Sequence, residues 1–352
     1  MKYHPVLTDG VSGSVPDQEF HLQAYMSVIS NLVRCISLLI FGLLHLLSVQ
    51  VIVIIFIAGD LAELLGSVWL FKKGIKTRLR IGWNRTGYIQ LLRESLPQTG
   101  VVVITSALAR FDWIFIGIIL SAVKLAEYSF AYKIFEIATF PMLAIAPLLI
   151  PLFTKLFQQK DIAAEKLKFL IKIELIIAAL TALVLNICWS PLIDKVTAGK
   201  YGMVNAKTIF ILSLCMPLLY MNNFLWTISF AQGRLKMILS SFIITLVVNV
   251  AGDILLIPWY KNEGAAFAFL LSCLAQTVFY LRKNDIPELN SSWHTLLICT
   301  GCALMSGLAA NAILSNIWMV LLSSVLFYLL LLVFTAQLRR SDGKNFQKLL
   351  YW

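Results

Sequence analysis

Apolar residues fall along this chain in blocks of about twenty, the length a helix needs to cross the hydrocarbon core of a bilayer. Ten such blocks are legible, near residues 25–47, 49–71, 97–120, 128–152, 169–190, 208–230, 238–258, 264–281, 294–314 and 317–338. Short polar connections separate them, several of them rich in lysine and arginine. The pattern predicts an all-α protein, a polytopic transmembrane helical bundle of about ten spans.

Composition agrees with that pattern. Hydrophobic residues make up 59% of the chain, charged residues 13%, and mean hydropathy is +0.84, whereas soluble domains carry about 25% charged residues. Such a chain cannot cover itself with polar surface. The net charge of +11 reads as topology, because the cations gather in short segments between apolar runs. Lysine and arginine resist translocation, so they mark cytoplasmic loops. With both termini on one side, twenty of the 29 lysines and arginines fall on that side, and only Lys124, Lys195, Lys200, Lys207 and Lys261 fall on the other. Both termini are therefore expected in the cytoplasm, and no nucleic-acid partner is expected.

The connections add little folded material. Residues 1–23 are polar, with Pro5, Asp9, Pro16, Asp17 and Glu19, and lack the basic-then-apolar build of a signal peptide; they read as a cytoplasmic leader. Residues 72–96 combine basic residues with Trp83, Tyr88, Leu91 and Leu92, the composition of an amphipathic helix lying on the inner leaflet. Residues 339–352 form a basic cytoplasmic tail. By this count no external loop exceeds about twenty residues, so no outer domain is available to host catalysis.

Several routes to chemistry are missing from the sequence. G-x-x-x-x-G-K-[ST], G-x-G-x-x-G and H-E-x-x-H are all absent, which argues against nucleotide hydrolysis and zinc proteolysis. The histidines His4, His21, His45 and His294 are scattered. Cys299 and Cys302 have C-x-x-C spacing, but no second Cys or His pair accompanies them, and packing of small residues between helices is the better reading. Neither a metal centre nor a bound cofactor is expected, and the chain is not expected to be an enzyme.

What stands out is charge inside the spans, where each ionised group costs at least about 2.5 kcal/mol and faces a partner or a watery cavity. Arg34, Asp60, Glu63, Arg110, Asp112, Lys133, Glu136, Lys172, Glu174 and Asp253 all lie within predicted spans, with Asn222, Asn223 and Asn249. Lys133 and Glu136 are three apart and share a helix face, so they can neutralise one another. Asp60 and Glu63 repeat that spacing with like charges, a pattern that calls for a proton, a cation or a partner on a neighbouring helix. Arg110 and Asp112 are two apart and point to different sides. Lys172 and Glu174 sit near the start of a span, where long side chains can snorkel. Pro141, Pro147 and Pro151 punctuate one span, where lost backbone bonds allow bends.

The stretch 91–157 carries a more specific signal. Leu96-Pro97 opens a span; Arg110-Phe111-Asp112 and Ile116-Gly117 follow; then comes Tyr128-Ser129-Phe130-Ala131-Tyr132 after a short loop, and a span ending at Pro151. In order and spacing this resembles the polysaccharide (O-antigen-type) flippases of the multidrug/oligosaccharidyl-lipid/polysaccharide exporter superfamily. Asn262-Glu263-Gly264-Ala265-Ala266 is similar to the start of a later span in that family. Leu125-Ala126-Glu127 stands where the family often has Leu-Gly before its Tyr-Ser, a mild departure.

The resemblance implies two helical bundles that expose a central cavity to each side in turn. Residues 24–71 would then be the two spans left of a first bundle that apparently lacks its first helices, 97–281 a six-helix second bundle, and 282–338 two additional spans. It implies a flippase that carries a polyprenyl-diphosphate-linked oligosaccharide to the outer leaflet of a bacterial cytoplasmic membrane for surface polysaccharide (lipopolysaccharide O-antigen) assembly. Membrane lipids and polysaccharide assembly enzymes are the partners so implied. Arg34, Arg110 and Lys133 would attract the diphosphate, and Asp60, Glu63, Asp112, Glu136 and Asp253 would serve ion coupling or gating. The competing readings are a polysaccharide polymerase or lipid-linked glycosyltransferase, a small-molecule exporter of the same superfamily, and an inactive remnant that only scaffolds assembly enzymes.

Overall fold

The structure, a computed structural model, describes residues 31–74, 85–158 and 164–338. The leader 1–23, the tail 339–352 and most of the basic stretch between the second and third spans lie outside the described residues. Among the described residues every regular element is helical. Seven helices among the described residues are long and apolar enough to cross a membrane, and one of them is a folded hairpin that supplies two crossings. The protein is thus an all-α, multi-pass membrane protein. The chain divides into two compact units, 1–84 and 85–352.

The first unit contains α1 (Asn31–Leu43) and α2 (Val49–Gly74), joined by a turn in which His45 takes a left-handed conformation at φ 55°. The Arg34 guanidinium forms an ion pair with Asp60 and lies 5.2 Å over the Phe56 ring. Gly59 makes room for it, since a Cβ there would meet Arg34 Nε at 2.6 Å.

The second unit begins with α3 (Arg85–Ile119), which starts well before Pro97 and passes through it as one helix. Residues 85–96, read from sequence as part of a surface-lying connection, are therefore continuous with the span. The next crossing is broken. It comprises α4 (Ala122–Ala138) and α5 (Phe140–Gln158), interrupted at Thr139. The cause lies just beyond, because Pro141 has no N–H to donate and its ring crowds the preceding turn. Thr139 caps α4 instead, its N–H bonding back to the carbonyls of Phe135 and Glu136 and its hydroxyl donating to Glu136 O at 2.6 Å.

Then come α6 (Ala164–Thr197), a short 3₁₀ turn (Met203–Asn205), α7 (Ala206–Ala231), α8 (Leu235–Lys283), α9 (Ser292–Ile313) and α10 (Ile317–Phe334). The 49-residue α8 is two antiparallel arms, 235–260 and 262–283, folded at Lys261 with φ 53° and ψ −129°. These arms match the two spans expected near 238–258 and 264–281. The fold is tight because small residues face each other: a Cβ on Gly252 would meet Ala268 Cβ at 2.7 Å, and one on Gly264 would overlap the Leu256 carbonyl oxygen. Small residues that let backbones approach closely are how helices associate in lipid.

Polar side chains stitch the helices where apolar packing alone would leave register loose. Asn222 on α7 donates to the Cys273 carbonyl at 3.0 Å and accepts from Thr277 at 2.8 Å, both on the second arm of α8. The hydroxyls of Ser241 and Tyr280 hydrogen-bond at 2.8 Å between the arms. Tyr328 on α10 donates to the Ile176 carbonyl on α6 at 3.0 Å. Cys299 and Cys302 are buried free thiols packed with Tyr328 and Leu183, in keeping with helix packing. Glu174 departs from the snorkelling position its sequence suggested: only 4% of it is exposed and neither carboxylate oxygen has a hydrogen-bond partner.

Helix order assigns each connection of the second unit to one membrane face. Residues 120–121, 198–205, 261 and 314–316 turn at one face; 232–234 and 284–291 turn at the other. The latter face carries Arg234, Lys236, Arg282 and Lys283, with Arg234 ion-paired to Asp285.

Candidate functional site

The most heavily buried charges of the second unit meet where α3, α4 and the first arm of α8 pack together. Asp112 on α3 is 2% exposed, and Asn249 and Asp253 on α8 are fully buried. Asn249 and Asp253 are four apart, one helical turn, so both point the same way. Both stand within interaction reach of Asp112. From α4, the fully buried Tyr128 donates its hydroxyl to Asp112 Oδ2 at 2.7 Å. This hydrogen bond ties the cluster to α4. Asp112 Oδ1, both carboxylate oxygens of Asp253 and both polar atoms of Asn249 are buried without a partner.

Such a cluster has a definite chemical sense. Buried polar atoms are almost always hydrogen-bonded, and two carboxyls side by side in a low-dielectric interior cannot both hold uncompensated charge. Two carboxylates and an amide carbonyl make a hard, all-oxygen donor set, suited to a hard cation rather than to zinc or copper. Among the described residues no group of three or more His, Cys, Asp or Glu side chains is gathered to hold a metal ion. Asp112, Asn249 and Asp253 together offer a small site of mixed carboxylate and amide oxygen.

Around this cluster lies an aromatic layer. Tyr132 meets Trp113 edge-on at 6.4 Å and Phe269 at 6.0 Å, and Tyr128 sits 6.0 Å from Tyr132. Arg110 is exposed, with its guanidinium 4.4 Å over the Trp113 ring. Asp112 is buried while Arg110 is not, so the two-residue spacing does put them on different sides of α3.

The remaining sequence candidates are distributed. Lys133 and Glu136 form an ion pair at 2.5 Å on a half-exposed face of α4. Their spacing predicts that pair. Asp60 pairs with Arg34 in the first unit, and Glu63, on the same helix, is partly buried. The structure therefore brings Asp112 and Asp253 together and leaves Lys133 with Glu136 as a separate local pair. It adds two residues that the sequence reading did not assign a role: Tyr128, present in the Tyr-Ser-Phe-Ala-Tyr motif, and Asn249, whose spacing from Asp253 was the available signal.

Comparison with known proteins bears on this arrangement. Residues 15–157 match a family model described as polysaccharide biosynthesis protein. No curated protein matches the chain. Among solved structures, the lipid II flippase MurJ in an inward closed conformation is similar in fold, with a TM-score of 0.69 at 14% sequence identity, over 90% of this chain and 68% of that one. The sequence match covers residues 15–157, and the likeness to the flippase structure is one of fold over most of the chain.

Proposed function

We propose that this chain is a flippase, a transporter without catalysis, that moves a lipid-diphosphate-linked oligosaccharide across the membrane for surface polysaccharide assembly of the O-antigen type. The observation that carries the mechanism is the buried Asp112–Asn249–Asp253 cluster. A static bundle has no use for two carboxyls whose oxygens lack partners, because replacing them by apolar side chains would stabilise it. A transporter that draws energy from a cation gradient needs such a site.

In this reading a cation enters the cluster, satisfies its oxygens and draws α3 and the first arm of α8 together. Release lets them relax, and the difference between the two states biases an alternating-access cycle. Arg110, exposed beside Trp113, and Lys133, half-exposed beside Glu136, supply positive charge for the substrate diphosphate, and Arg34 does so from the first unit. Asp60 and Glu136 hold two of these cations in place, and Glu63 belongs to the same charged face as Asp60. In this reading the membrane is the bacterial cytoplasmic membrane that the resemblance implies, and lysine and arginine placement supports both termini inside. Membrane lipids surround it, and polysaccharide assembly enzymes are its protein partners.

The test is complementation of a flippase-deleted strain that makes the native repeat, scoring surface polysaccharide with membrane expression confirmed. Rescue by the chain, lost in Arg110→Ala and in Asp253→Ala, is the expected result. Rescue that survives both substitutions would remove the proposed cation and substrate sites. Failure of the chain, and of a version extended upstream, would remove the flippase reading itself.

A further inference from the structure

A second polar site lies at the membrane face where residues 120–121, 198–205 and 261 turn, one to two helical turns along α4 and α8 from the acid cluster. A cavity of about 920 Å³ opens there among the ends of α4, α7 and α8. Lys124, Lys207 and Lys261 line it, three of the five lysines that the sequence assigns to this side. Each belongs to a different element, and each sits in or just before the first turn of a helix: α4 begins at Ala122, α7 at Ala206, and the second arm of α8 at residue 262.

That placement is unfavourable without an occupant. The positive end of a helix macrodipole disfavours a nearby cation by about 0.3–1 kcal/mol each, and the same field attracts anions. Three helix starts and three lysines therefore focus positive potential on one cavity. Lys124 is partly offset by Glu127 at 2.6 Å. Lys207 and Lys261 are exposed and have no ion-pair partner among the described residues.

The walls are built rather than adventitious. Asn262, 4% exposed, donates from Nδ2 to the Lys124 carbonyl at 3.1 Å and so clamps the α8 fold to the start of α4. Asn262 also lines the cavity, and its Oδ1 is buried without a partner. The 198–205 turn is held by Asp194, whose carboxylate accepts from the N–H groups of Gly202 at 2.8 Å and Met203 at 2.9 Å. Trp189 Nε1 donates to the Gly202 carbonyl at 2.7 Å, and Tyr201 stacks on Phe130 at 4.6 Å.

The rim indicates what kind of anion fits. Trp259 is 82% exposed and Tyr260 59%, the aromatic pair that marks headgroup depth in a bilayer. Below them on the same helix Leu255 and Ile254 are exposed apolar side chains, a lipid-facing surface. From these observations we infer that the cavity bounded by Lys124, Lys207, Lys261 and Asn262 is a binding site for the phosphate headgroup of a membrane lipid. The lysines take the phosphate, while Glu263, which also lines the cavity, accepts from a headgroup that carries donors, a glycerol hydroxyl or an ethanolamine ammonium.

The experiment uses the full chain in detergent, loaded with phosphatidylglycerol, phosphatidylethanolamine or phosphatidylcholine and read by native mass spectrometry for lipid retained per protein. Retention should be stronger for the first two, whose headgroups donate hydrogen bonds. A Lys124→Gln/Lys207→Gln/Lys261→Gln variant should weaken it by about fivefold for each lysine removed. Lys200→Gln, on the same face but outside the cavity lining, should leave it unchanged. The triple arginine variant should retain binding, and its retention alongside the glutamine variant's loss separates charge from misfolding. Equal retention by wild type and the glutamine variant would overturn the site. Binding of inorganic phosphate with no preference among lipids would overturn the assignment to a lipid.

Discussion

Replacing Asp253 by asparagine separates a coupling site from a buried accident. In the wild type, five polar atoms of Asp112, Asn249 and Asp253 are buried without partners, and each unsatisfied group costs about 1–3 kcal/mol. Asp253→Asn keeps the shape, removes one of the two ionisable carboxyls and introduces an amide donor that can reach Asn249 or Asp112. The cation-free variant should therefore be more stable than the cation-free wild type. With a cation the order should change, because a ligand at a hundred times its dissociation constant stabilises the folded protein by about 2.7 kcal/mol. For a body of this size that is a rise of about 4–5 °C in thermal midpoint.

The assay is thermal unfolding of the purified chain in detergent, followed by its nine tryptophans, in sodium, lithium, potassium and choline chlorides at one ionic strength. Matched ionic strength removes general screening. Wild type should rise with at least one alkali cation over choline, and Asp253→Asn should be flat across the series. An Asp253→Asn protein that keeps the wild-type rise would refute the site, and a flat wild-type series would refute a metal cation as its occupant.

Three further outcomes test the surrounding structure. Tyr128→Phe removes the hydroxyl that donates to Asp112 at 2.7 Å and should cost about 1.5–3 kcal/mol of stability; in an Asp112→Asn background that cost should shrink, which a double-mutant cycle on thermal unfolding measures. Gly264→Leu forces a side chain into the Leu256 backbone carbonyl and should lower stability by at least the 1–3 kcal/mol of about one overpacked core site, seen as loss of monodisperse protein in detergent. Glu174→Gln replaces a buried carboxyl whose two oxygens have no partners and should raise the thermal midpoint; a fall would show that Glu174 holds a charge the protein needs.

Much of the fold was legible because in a membrane protein hydropathy and helix length are tied by bilayer thickness. The α8 arms were separable by sequence, since Pro258, Lys261, Asn262 and Gly264 interrupt an otherwise continuous apolar run. The break at Thr139 was less so. Three prolines mark that span, and nothing in their spacing says which one interrupts the helix; the first does, because it follows a residue whose own side chain can cap the turn. At the site, local spacing carried as far as one helix. Arg110 and Asp112 were assigned to opposite faces correctly, and Lys133 with Glu136 to one face.

Between helices that logic stops. Asp112 and Asp253 lie on spans separated by three other crossings, and no spacing rule relates them. The same holds for Lys124, Lys207 and Lys261, which sequence reads as three isolated charges on short loops and the fold gathers around one cavity. Helix α4 is where the two sites come nearest in the chain: the Lys124 carbonyl receives Asn262, and one turn on, Tyr128 donates to Asp112. The α8 hairpin answers with Asn262 at its fold and Asp253 two turns before it. Whatever moves the start of α4 against that hairpin must act on both ends of this ladder. The residues that tie it together, Asn262 and Tyr128, are ordinary polar side chains that acquire their role only from packing.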